Sequence, residues 1–169
     1  ESGYESVSAR AVAVRAGCSV QPIYSQFDGM DGLMSALYEH GLAWVAEYGK
    51  RFTADAPTAF SAAGRTHIFL AQEEPLLFSF LYQSPYMGTR SLADLFAIAA
   101  RPGIVEEIQE STGLDAQAAN SMYLDMIIYT HGLASVIASG GTIPIDEVAE
   151  RMNGAFFSFS AKWKGASHA

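Results

Sequence analysis

The stretch that most constrains the fold is residues 7–33, VSARAVAVRAGCSVQPIYSQFDGMDGL. Ser8 is a good N-cap for a helix whose first residue is Ala9. Ala9, Val12, Ala13 and Ala16 recur three and four apart and line one small apolar face. Gly17 follows directly and suits the left-handed residue that ends many helices. Ser19 reads as a second N-cap, and Pro22 is tolerated because it falls in the first turn, where its missing N–H has no acceptor to serve. Val20, Ile23, Tyr24 and Phe27 then form the apolar face of a second helix. Two short helices around a glycine turn make a helix-turn-helix, which presents its second helix to the major groove of DNA.

This stretch resembles the DNA-binding segment of the tetracycline-repressor (TetR-like) family of bacterial transcription regulators. Gly3-Tyr4, Ser8, Val12-Ala13, Ala16-Gly17, Ser19, Ile23-Tyr24, Phe27 and Leu33 carry the match in order and spacing. The resemblance implies an all-α fold with a helix-turn-helix head at 1–30 and a helical ligand-binding and dimerisation body at 31–169. It also implies a helix before Gly3-Tyr4, missing or truncated here. Two positions depart from the family pattern. Met30 stands where a phosphate-binding lysine is usual, and Pro22 where a hydroxyl residue is common.

By the same resemblance the DNA-contacting set is Ser8, Arg10, Ser19, Val20, Gln21, Pro22, Tyr24 and Ser25. Gln21 has the donor and acceptor to pair with adenine, and Val20 suits a thymine methyl. Ser8, Arg10, Ser19, Tyr24 and Ser25 suit phosphates, Tyr24 foremost. Charge tempers this reading. The chain carries a net charge of −8, while Glu1 and Glu5 balance Arg10 and Arg15 in the head. An acidic body with a neutral head keeps a second reading open: a helical small-molecule-binding or interaction module with weak or vestigial DNA binding.

Beyond the head, a long helix is expected from Asp31 to Thr53, with Leu33, Leu37, Trp44, Tyr48 and Phe52 on one face. It would be roughly 35 Å long. Helices follow from Pro57-Thr58 to Glu74, over 76–83, over 91–100 and over 104–111, with Glu106, Glu107 and Glu110 on a solvated face of the last. Two strong helices close the chain, Asp115 to Ser139 and Asp146 to about Trp163. They are too apolar for one protomer to cover, which suggests a homodimer built on Ile127, Leu133, Ile137, Met152, Phe156 and Phe159. In the resembled family these helices form a four-helix bundle across a two-fold axis. Tyr129-Thr130-His131-Gly132-Leu133 is also similar to the penultimate helix of one branch of that family.

The body is rich in aromatics and methionines, a composition suited to an apolar cavity with few polar anchors. The resemblance implies a small apolar or aromatic inducer there, against Tyr48, His67, Phe78, Tyr82, Tyr86, Phe96, Tyr123, Met126 and Tyr129. His67, Gln83, Asn120 and His131 are its candidate polar anchors. His131 otherwise serves as a satisfied core residue or pairs across the dimer. The inferred mechanism is a population shift in which ligand tilts the long helix and changes the spacing of the two heads.

No nucleophile elbow, phosphate-cradling glycine loop or dinucleotide fingerprint is present, so an enzyme and a cofactor are not expected. His40, His67, His131 and His168 lack metal-ligand spacing. The most apolar stretch, Met122 to Ser139, is interrupted by Asp125 and His131 and does not read as a membrane span. Cys18 is the single cysteine; it reads as a small buried spacer in a cytoplasmic, reducing setting.

Overall fold

The computed structural model describes residues 3–88, 91 and 102–166. Among these there is no strand, and eight α-helices carry the fold. They are α1 (Ala9–Ala16), α2 (Gln21–Phe27), α3 (Met30–Gly49), α4 (Ala59–Glu73), α5 (Pro75–Gln83), α6 (Ile104–Thr112), α7 (Ala116–Ala138) and α8 (Ile145–Ala166). The helix expected over 91–100 lies outside the described residues except for Ser91, and so does Phe96.

Local chemistry sets the helix ends. Ser8, Thr58 and Asp115 each accept a hydrogen bond from the backbone N–H three residues on, at 3.3, 3.0 and 2.8 Å. Pro75 occupies the first turn of α5, so the proline that ends α4 also starts its neighbour. The long helix is shorter than the periodicity suggests: α3 ends at Gly49 and tightens into a 3-10 turn over Lys50–Phe52. Its buried face is also different. Met34, Tyr38, Gly41 and Val45 face the core, whereas Leu37 and Trp44 are 42% and 41% exposed. Gly41 decides between two apolar stripes of equal spacing. A Cβ there would lie 2.9 Å from Leu81 Cδ2, so glycine lets α3 close on α5.

Two cores result. The first joins Met34, Tyr38 and Val45 of α3 to Ile68 and Leu70 of α4, Phe78, Phe80 and Leu81 of α5, Ala134 of α7 and Val148 of α8. The second joins Ile104 and Ile108 of α6 to Ala119, Met122 and Tyr123 of α7, with Phe60, Phe156 and Trp163 packed against it. Helix α7 therefore runs through both cores. Each fully buried Leu, Ile or Phe contributes about 1.5–3 kcal/mol over its exposed state.

The acidic face of α6 is only partly solvated. Glu107 reaches α4, where its two carboxylate oxygens accept from the N–H groups of Ala59 and Phe60, both at 3.0 Å. These are free donors of the first turn of α4, and a carboxylate at a helix N-terminus is favourable. Across the end of the molecule, Asp125 of α7 accepts from Lys162 Nζ at 2.7 Å and Trp163 Nε1 at 2.9 Å, which fastens α8 to α7.

Candidate functional site

The head is built on two positive-φ joints. Gly17 closes α1 at φ 67°, and its N–H bonds back into the last turn of the helix. Between α2 and α3 the chain turns through Asp28 at φ 56° and Gly29 at φ 99°, the second a backbone that only glycine adopts freely. Gly32 then lies against the end of α2, where a Cβ would meet the carbonyl oxygen of Phe27 at 1.6 Å. These joints orient α2 against α3.

Within α2 only Ile23 is buried, at 4% exposure. It anchors the helix, and Phe27 is half-buried beside it in sequence. Val20 and Tyr24, expected on the same apolar face, are instead 42% and 60% exposed. A seven-residue helix buries one narrow stripe, and Ile23 occupies it. Val20, Gln21, Tyr24 and Ser25, spaced one, three and one apart, thus share the outward face of the first turns of α2. Ser8, Arg10 and Ser19 are exposed as well, and Pro22 is half-buried. Ser19 does not occupy the N-cap position. That position is Val20, which has helical dihedrals, and Ser19 Oγ accepts from Gln21 N at a long 3.4 Å. Cys18 is exposed, not a buried spacer, since it stands in the turn between α1 and α2 and on neither helix's packed face. Met30 is half-buried against the first core, so it packs where the family pattern places a cation.

In the body, the expected ligand residues fall into several clusters. His67, Phe78 and Tyr82 come together with His131: His67 lies 5.0 Å from Phe78, 4.6 Å from Tyr82 and 5.5 Å from His131 between ring centroids. His67 Nε2 and His131 Nδ1 are 3.3 Å apart, so one imidazole donates to the other within the protomer. Burial, aided by the neighbouring His131, pushes the His67 pKa down to about 3, and burial lowers His131 too. Both rings are therefore neutral near pH 7, a polar pair inside an aromatic wall. The sequence nominates both histidines as anchors but not their pairing, since they are 64 residues apart.

The other candidates lie elsewhere. Tyr48 sits at the end of α3, donating to Glu73 Oε2 at 3.0 Å while Arg51 donates to Tyr48 Oη at 2.9 Å and to Glu73 at 2.6 Å. These bonds, that from Arg51 foremost, hold the Glu73 pKa below its ordinary value. Tyr86 stands by Tyr4 and Phe80, Tyr123 by Phe60 in the second core, and Tyr129 by Phe159; Met126 is buried. Gln83 accepts from Ser79 on its own helix, and Asn120 donates to Ala116 O, both at the surface. Ile127, Leu133, Ile137, Met152, Phe156 and Phe159 are half-buried against the protomer's own cores. The large apolar side chains that the last helix pair leaves outward are Ile128, Val136, Ile145 and Phe157, at 43%, 52%, 48% and 71% exposure.

Among the described residues no group of three or more His, Cys, Asp or Glu is placed to hold a metal ion, and no helix is long and apolar enough to cross a membrane. No curated protein matches the chain, and no solved structure does. Residues 1–37 match the family model described as bacterial regulatory proteins, tetR family. That segment holds both helices, both glycine joints and the outward face of α2, so the head of this chain is a helix-turn-helix similar to that of the tetR family of DNA-binding transcription regulators.

Proposed function

We propose that the protein is a ligand-responsive repressor that works as a cytoplasmic homodimer and leaves its operator when a small apolar or aromatic molecule occupies the body. The observation that carries this reading is the outward face of α2. Val20, Gln21, Tyr24 and Ser25 offer base-edge and phosphate partners on a helix anchored by Ile23. The inducer part is supported by the cluster of His67, Phe78, Tyr82 and His131, where ring faces surround a neutral donor–acceptor pair. Self-association through α7 and α8 is supported by Ile128, Val136 and Phe157, which a partner would cover along with the outer edges of Ile127, Leu133, Ile137, Met152, Phe156 and Phe159.

A second reading, an interaction or ligand-binding module with weak DNA binding, is favoured by charge. The only cations before residue 28 are Arg10 and Arg15, and Met30 packs inward. Titration of the protein into genomic DNA fragments at two salt concentrations separates the two. Selective, salt-sensitive retention of one fragment supports the repressor, and compounds can then be scored by release. A folded dimer that retains no fragment at low salt supports the module.

A further inference from the structure

Head and body meet in one aromatic junction. The ring of Tyr4, ahead of α1, lies 5.6 Å from Phe80 of α5 and 6.4 Å from Tyr86. Phe80 in turn lies 6.0 Å from Tyr38 of α3, and Val7 and Met30 of the head pack against the same core. Among the described residues one atom in this junction is unsatisfied: the Tyr38 hydroxyl is buried with no hydrogen-bond partner there, on a side chain only 7% exposed. A buried hydroxyl left without a partner penalises the conformation that buries it. It also disposes that conformation to open wherever opening lets water reach the oxygen.

We propose that Phe80 and Tyr38 are positioning residues for the DNA-reading head, acting in opposite senses. Phe80 holds the head docked through Tyr4. Tyr38 keeps the docked arrangement shallow, because its hydroxyl regains a partner when α3, α5 and Tyr4 separate. The contact is well placed for this. Gly41, one turn beyond Tyr38, lets α3 approach Leu81 of α5 closely, next to Phe80 in sequence. Phe78, two residues before Phe80 on α5, touches the paired histidines at 5.0 and 5.8 Å between centroids. The same short helix thus faces the interior cluster on one side and the head on the other.

The test is amide hydrogen exchange on the whole protein, comparing amides of residues 9–27 with those of α4 and α7. Tyr38→Phe is expected to slow exchange of the head about tenfold, corresponding to removal of about 1.4 kcal/mol of penalty, with α4 and α7 unchanged. Phe80→Leu, which keeps an apolar side chain and removes the ring, is expected to quicken the head and spare α7. Affinity for a retained DNA fragment is expected to move in opposite directions in the two variants. An equal change in head and body, no change, or faster head exchange in Tyr38→Phe overturns the proposal. Each would mean that the hydroxyl does not specifically penalise the docked arrangement of the head.

Discussion

Mild acid loosens the body through His67, and the size of the effect follows from the structure. The native state holds His67 neutral, with a pKa of about 3, between Phe78, Tyr82 and His131. In the unfolded chain the ring takes a proton near its ordinary value of 6.5. The folded pKa is depressed, so the unfolded state binds more protons in acid. The contribution of His67 is intact above about pH 6.5 and is lost steadily as pH falls toward 3. Between pH 7 and pH 5 that loss is about 2 kcal/mol, at about 1.4 kcal/mol per pH unit below the unfolded value. His131, lowered by its own burial, acts in the same direction. Glu73, held low by Arg51, does not interfere, since its contribution drains only as pH falls below its ordinary value of 4.5. His67→Phe keeps a ring against Phe78 and Tyr82 and removes the titrating group. Urea unfolding followed by circular dichroism at pH 7 and pH 5 reads the difference. With a slope of about 2 kcal/mol per molar, the wild-type midpoint falls about 1 M further than the variant's between the two pH values. Equal losses in wild type and variant would refute the assignment of a buried neutral imidazole.

Three further outcomes follow from single contacts. Glu107→Ala removes the carboxylate from the first turn of α4 and is expected to cost about 1–2 kcal/mol, or about 2–8 °C in melting temperature, while the exposed Glu106→Ala stays within about 0.5 kcal/mol. Gly32→Ala drives a methyl into the Phe27 carbonyl, so DNA retention is expected to be lost while the far-ultraviolet spectrum of the body persists; full retention would show that the joint yields. Tyr24→Phe leaves Ile23 buried and is expected to weaken binding to all DNA sequences alike, measured by filter retention at physiological salt; unchanged affinity removes Tyr24 from the interface.

How much could be read from the chain depends on how local the cause is. Ser8, Gly17, Thr58, Pro75 and Asp115 act within a turn of themselves, so the helix ends they set are visible in the sequence and recur in the structure. The phase of α3 was not visible, because Leu33/Leu37/Trp44 and Met34/Tyr38/Gly41/Val45 share the same spacing. Only the approach of Leu81 makes the glycine stripe the inner one. Glu107 looked like a surface charge because its partners are 47 and 48 residues away, and the two histidines looked independent for the same reason. Helix α5 is the extreme case. LLFSFLYQ is so evenly apolar that it announces burial without saying against what. Yet Phe78 and Tyr82 meet the histidine pair while Phe80 meets Tyr38 and Tyr4. An amphipathic helix can be read because water takes one side of it. A short helix apolar on every side has no such reference in its sequence, and here it is one of the elements through which the body touches the DNA-reading head.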